Sequence, residues 1–97
     1  MSRFHLEIHV IPRPGILDPE GKAIHQALRS LGYDGTRDVR VGKAIHLELD
    51  ADSEEAARDR ADEMCRKLLA NPVTEDYEIH FLDRPPAGVT PDGDDES

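Results

Sequence analysis

Aromatic side chains are scarce in this sequence, which has no tryptophan, two phenylalanines and two tyrosines among 97 residues. With 37% hydrophobic residues in so short a chain, the core must be thin, and association would stabilise it. A single cysteine excludes an internal disulfide. No apolar run approaches the roughly twenty residues of a spanning helix. Met1-Ser2-Arg3-Phe4 leads directly into a strand pattern without an apolar signal stretch, so the expected location is cytoplasmic. Basic residues are few: 12 against 21 acidic ones give a net charge of −9. That balance repels phosphate backbones and anionic lipid, which argues against nucleic acid and membrane as partners.

Catalytic patterns are also missing. Ser2, Ser30, Ser53 and Ser97 lie beside the termini, late in a helix or at a cap, and none sits in a nucleophile turn. Gly15, Gly21 and Gly32 make no phosphate loop, because neither a Gly-Lys-Ser/Thr ending nor dinucleotide spacing is present. Cys65 falls in the apolar stripe of a helix with no histidine at matching local spacing, which predicts a buried thiol rather than a nucleophile. The sequence has five histidines. His5 and His9 share a strand face but stand about 13 Å apart, too far for one ion at His–Zn bonds of about 2.1 Å. The expectation is therefore no metal. An interstrand cluster with the outward-facing His46 and His80 is the less favoured alternative to a subunit contact or a solvated face.

What the sequence does contain is periodicity. Phe4, Leu6, Ile8 and Val10 alternate with His5, Glu7 and His9, predicting a strand with one buried face that ends at Pro12 and Pro14. Asp18-Pro19-Glu20 reads as N-cap, first helical residue and dipole-complementing acid. Ile24, Ala27, Leu28 and Leu31 continue that helix to a left-handed stop at Gly32. Gly21 does not suit the first turns of a helix and predicts that another backbone approaches closely there. From Thr36 to Asp50, the residues Val39, Val41, Ile45, Leu47 and Leu49 all fall on odd positions. A two-residue hairpin at Gly42-Lys43 would set those side chains on opposite faces, so parity favours one long strand, bent at Gly42. Some fifteen residues span on the order of 50 Å, whereas a domain of this size is only about 30 Å across. One end should overhang and need a partner chain.

Asp52-Ser53-Glu54-Glu55 then resembles a capping box, and Ala57, Ala61, Met64, Cys65 and Leu68 form the stripe of a second helix. Glu54 with Arg58, Asp62 with Arg66 and Glu63 with Lys67 are spaced as solvated ion pairs. Asn71 in a left-handed conformation and Pro72 would end this helix near Ala70. Val73, Tyr77, Ile79 and Phe81 predict a last strand. The expected fold is α+β, with two helices packed on one face of an antiparallel sheet, in the order strand, helix, long strand, helix, strand. The domain is expected over residues 1–82 and a disordered tail over residues 83–97, where Asp83, Asp92, Asp94, Asp95 and Glu96 stand against Arg84 alone.

Several of these segments together resemble the PurS family, the small subunit of phosphoribosylformylglycinamidine synthase in purine biosynthesis. They are Pro14 to Ile24, Ala27 to Gly32, Val39-Arg40-Val41-Gly42-Lys43, and Leu68 to Val73 with Glu75-Asp76-Tyr77. They occur in family order over about residues 3 to 82, with Thr74 in place of a usual aliphatic. The resemblance implies a subunit without catalytic residues that joins an ATP-dependent synthetase to a glutaminase and assists ammonia transfer between them. It also implies self-association as a dimer or tetramer. No cofactor is expected in this chain, since ATP and Mg would be used by the synthetase subunit. By matching motif, Asp18, Gly21, Arg40, Lys43 and Asn71 are the candidate contact positions. The competing reading is a regulatory domain that binds a small metabolite as a homodimer; the lack of a glycine-rich ligand loop counts against it.

Overall fold

The structure, a computed structural model, describes residues 1–85. The acidic tail expected over residues 83–97 therefore lies, from residue 86 onward, outside the described residues. Six elements follow in the order β1 (Ser2–Pro12), α1 (Pro19–Ser30), β2 (Lys43–Ala51), α2 (Glu54–Met64), a π-helical turn (Cys65–Leu69) and β3 (Glu75–Leu82). The sheet is antiparallel with β1 in its centre, flanked by β2 and β3.

The alternation read in β1 sets the layers. Leu6, Ile8 and Val10 are fully or almost fully buried, and the register places Leu47 and Phe81 beside Leu6, and Ile45 and Ile79 beside Ile8. Helix α2 and the π-helical turn that continues it lay Ala61 and Cys65 on this surface, and small residues there let the helix sit close to the sheet. Phe4 and Phe81 close one end edge to face, with centroids 6.0 Å apart. Helix α1 is a different case. Of its residues only Gly21 is buried, and Ile24 and Leu31 stay exposed, at 40% and 73%.

The long strand expected over Thr36–Asp50 is shorter. Hydrogen-bonded strand begins at Lys43, and residues 36–42 are irregular. The pairing of β1 with β2 stops at Val10 opposite Lys43, although β1 itself runs on to Pro12 beside β3, so the residues before Lys43 are unpaired within the chain. The chain departs from the sheet at Gly42, where an added Cβ would stand 2.5 Å from the Val10 carbonyl oxygen.

Local signals were otherwise decided by hydrogen bonds. Asp18 caps α1 with Pro19 in its first turn. Gly32 has φ of +100°, and bonds from Tyr33 N to Leu28 O and from Gly32 N to Arg29 O complete a Schellman ending. Ser53 caps α2 by accepting from Ala56 N at 3.0 Å. The third helical residue is thus Ala56, which has no carboxylate to return the bond, so the capping box is half made. Helix α2 widens at its end, where Ala70 N donates to Cys65 O at 3.1 Å. This five-residue spacing advances the inward face, so that Leu69 and Ala70 pack inward while Leu68, expected in the stripe, is 83% exposed. Asn71 is not left-handed: among the described residues only Gly15 and Gly32 have positive φ, and an extended Ala70 ends the helix instead. Val73 lies in the turn before β3 and is exposed.

Candidate functional site

The feature that organises the segment before β2 is the Asp18 carboxylate. Oδ1 accepts from Gly21 N at 3.0 Å, as an N-cap should, while Oδ2 accepts from Val41 N at 2.9 Å. One side chain thereby starts α1 and fixes the approach to the sheet. The misfit glycine is explained by the same geometry, because a Cβ at Gly21 would collide with Asp18 Oδ2 and lie 2.5 Å from Val39 O. His25, one turn further along α1, reaches Thr36 O at 2.8 Å. Residues 36–41 are thus fastened along α1 rather than paired in a sheet.

These contacts also set the charge state. The Val41 and Gly21 amides, with help from the nearby Arg40 guanidinium, hold the Asp18 carboxyl below its ordinary value. Arg40 is exposed and lines a cleft of about 320 Å³ with Asp18, Lys22, His25 and Ile16. A second cleft of about 260 Å³, bounded by Pro12, Pro14, Asp76 and Tyr77, lies on the other side of Arg40. Asp18, Gly21 and Arg40 are therefore one site. Lys43 opens β2 opposite Val10 and is exposed.

Asn71 belongs to a second structure, the turn joining the π-helical end of α2 to β3. Its Oδ1 accepts from Val73 N at 2.9 Å, its carbonyl accepts from Glu75 N at 2.8 Å, and its own N–H donates to Glu75 Oε1 at 2.7 Å. Arg13 ties this turn to the end of β1 through Pro72 O at 2.8 Å and Asp76 Oδ1 at 3.1 Å. Tyr77 donates to Asp62 Oδ1 at 2.5 Å, and that bond together with Arg66 holds the Asp62 carboxyl low. Burial, reinforced by the negative Asp62, pushes the Cys65 thiol up, as befits a buried structural cysteine rather than a nucleophile.

Sequence reasoning reached Asp18 and Gly21 through capping rules and a glycine out of place. It missed the Val41 amide, His25 and the Tyr77–Asp62 bond, since each depends on tertiary register that local spacing does not encode. Chemically, the Asp18 site combines a carboxylate occupied by backbone donors with exposed cations, next to an apolar helix face. Both Asp18 oxygens are taken up by backbone N–H groups, so this carboxylate shapes the loop rather than acting as a free base.

The family model described as PurS, phosphoribosylformylglycinamidine (FGAM) synthase, matches residues 5–83. A phosphoribosylformylglycinamidine synthase subunit PurS from Synechocystis is 49% identical over 90 residues, covering 91% of this chain and 87% of the relative. The crystal structure of PurS from Methanocaldococcus jannaschii superposes with a TM-score of 0.71 at 37% identity, over 81% of this chain and 95% of that one. A chain from the structure of PurLQS from Thermotoga maritima gives 0.77 at 38% identity, over 84% of this chain and 100% of that one.

Proposed function

Because the chain belongs to the PurS family, we propose that it acts as the bridging subunit of phosphoribosylformylglycinamidine synthase in purine biosynthesis. In this role it holds the ATP-dependent synthetase subunit and the glutaminase subunit together, and it assists the passage of ammonia from one to the other. The observation that carries this reading is the correspondence of the folded body to the full length of a chain from a PurLQS assembly. Family membership disfavours the alternative of a metabolite-binding regulatory domain.

The physical arrangement supports a scaffold. The helix α1 leaves Ile24 and Leu31 to solvent in the single chain, and the adjoining Leu17 is 77% exposed. Covering such side chains with another protein surface is favourable by about 25 cal/mol per Å² of apolar area removed from water. We assign this side of the molecule, with the Asp18, Gly21 and Arg40 site beside it, to self-association as a dimer or tetramer. Lys43 and Asn71 are assigned as partner contacts at the start of β2 and the end of α2. ATP and Mg act at the synthetase subunit, and this chain binds no cofactor for the reaction. The complex works in the cytoplasm; no helix among the described residues is long and apolar enough to cross a membrane.

Reconstitution tests the bridging role. Glutamine-dependent turnover by the synthetase and glutaminase is expected to require this chain, whereas turnover fed with high ammonia should depend on it far less. Equal dependence in the two assays would refute a role in bridging and ammonia transfer.

A further inference from the structure

The sheet face turned away from α2 carries an arrangement that the amidotransferase role does not use. In β1 the side chains of His5, Glu7 and His9 share this face, and the register sets Glu7 opposite His46 on β2 and opposite His80 on β3. Each of the four nearest same-face positions around Glu7 is therefore a histidine. Glu78 stands opposite His9. Two of the histidines are engaged with one another, since His5 and His46 stack with Nδ1 and Nε2 3.2 Å apart. The other two point to carboxylates. His9 Nε2 lies 2.9 Å from Glu7 Oε1, and His80 Nε2 lies 3.1 Å from Glu78 Oε1. The His9 and His80 rings are neighbours, with centroids 4.6 Å apart. One ligand atom each from His9, Glu78 and His80 fall within 4.8 Å of one another.

We propose that His9, His80 and Glu78, whose ligand atoms already cluster, bind one divalent transition-metal ion of the zinc class, with Glu7, which lies outside that cluster beside His9, turning in as the fourth ligand. Imidazole nitrogen and carboxylate oxygen in this ratio suit such ions. Bonds of 2.0–2.1 Å in a tetrahedron place neighbouring ligand atoms about 3.3 Å apart. The two existing N···O separations are already near that edge length, so an ion would replace the proton now held between each histidine and its carboxylate. The rest of the closure falls to Glu78 and His80, whose side chains are 66% and 46% exposed and can rotate without moving the sheet. Along one strand the histidines are too far apart to share an ion; across strands they are not. The net charge of −9 adds a general attraction for a cation. This site is independent of the bridging role.

The test uses the full chain without an affinity tag, freed of metal by a chelator and titrated with zinc chloride in a calorimeter. One ion per chain is expected, with Co²⁺ giving the intense visible bands of four-coordinate cobalt. His9→Gln and His80→Gln should each weaken zinc binding by about tenfold or more. The double variant His5→Gln/His46→Gln and the variant His25→Gln should leave it unchanged. The ligands lie on a solvent-facing sheet surface, so the variants should keep the parent circular dichroism spectrum, and each of the two ligand substitutions tests the site by itself. No saturable zinc uptake, uptake of half an ion per chain, or an equal loss in the His5/His46 double variant would each overturn the proposal.

Discussion

Replacing Gly21 by alanine isolates the contact on which the Asp18 site rests. Inside an exposed helix the exchange should stabilise by up to about 1 kcal/mol, through helix propensity and a less flexible unfolded chain. Here the new methyl carbon would stand 2.5 Å from Val39 O and collide with Asp18 Oδ2. Restoring ordinary contact requires the Val39 carbonyl to withdraw by about 1 Å, and that movement pulls the Val41 amide away from Asp18. Inserting a methyl into a tight site typically costs about 1–3 kcal/mol. The balance is a net destabilisation of about 1–2 kcal/mol, equivalent to a fall in Tm of roughly 4–8 °C for each kcal/mol in a domain of this size. Thermal denaturation at fixed protein concentration measures the size of the effect, and hydrogen exchange locates it. Faster exchange of the Val41 amide, with β1 amides still protected, is the expected signature. A Gly21→Ala protein as stable as the parent or more so, with Val41 still protected, would show that the close approach does not hold this segment.

Other perturbations read different parts of the structure. Leu6→Ala removes a fully buried side chain from the centre of the sheet and should cost about 2–5 kcal/mol in urea unfolding; a loss under 1 kcal/mol would mean that the thin core repacks freely. Ile24→Asp changes an exposed α1 residue, so light scattering should show a smaller particle while circular dichroism stays the same; an unchanged mass would remove α1 from the interface. The Asp18 and Asp62 carboxyls are both held below the ordinary value of 3.8 by their hydrogen bonds. Their contribution to stability is present above that value and is lost as the pH falls below it, through the folded-state values. Asp18→Asn should therefore flatten the acid limb of a stability profile while lowering stability near neutrality; an acid limb of unaltered slope would contradict the assignment. Cys65 should resist thiol reagents in the native protein and react only after denaturation, which a colorimetric thiol assay checks.

Much of the fold was legible because β1, β2 and β3 each bury one face, and alternation reports that directly. Phe4 to Val10 and Ile45 to Leu49 were placed on their correct faces from spacing alone. The errors arose where partners outside the local segment decide conformation. Val39 and Val41 continue the apolar parity of β2, but the chain leaves β1 at Gly42 and the Val41 amide bonds Asp18 instead, so within the single chain a strand pattern became a segment bound to α1. Leu68 obeys a spacing of 3.6 residues that the π-helical turn does not keep. Asn71 has the chemistry for a left-handed ending, yet its side chain serves the Val73 amide instead. At the site, a cap residue and a glycine out of place pointed to the right helix end, while the carbonyl and amide that complete it leave no trace in composition. The histidine and glutamate face stood in the sequence only as a less favoured alternative for a related reason. Which residues oppose one another across strands follows from register, and register is set by buried side chains on the other face.

The placement of β1 in the middle of the sheet governs when this protein can fold. The first strand to be synthesised needs both neighbours, and its pairing with β3 joins residue 5 to residue 82. A nascent chain that has released β1, α1 and β2 holds a two-stranded ribbon with one side of Leu6, Ile8 and Val10 uncovered, and ribbons of that kind are marginal in water. Closure must await the last strand, so folding crosses a long loop-closure barrier. During that interval the unpaired edge of β1 is open to other chains. A subunit made for assembly thus passes through its most adhesive state before its own core exists.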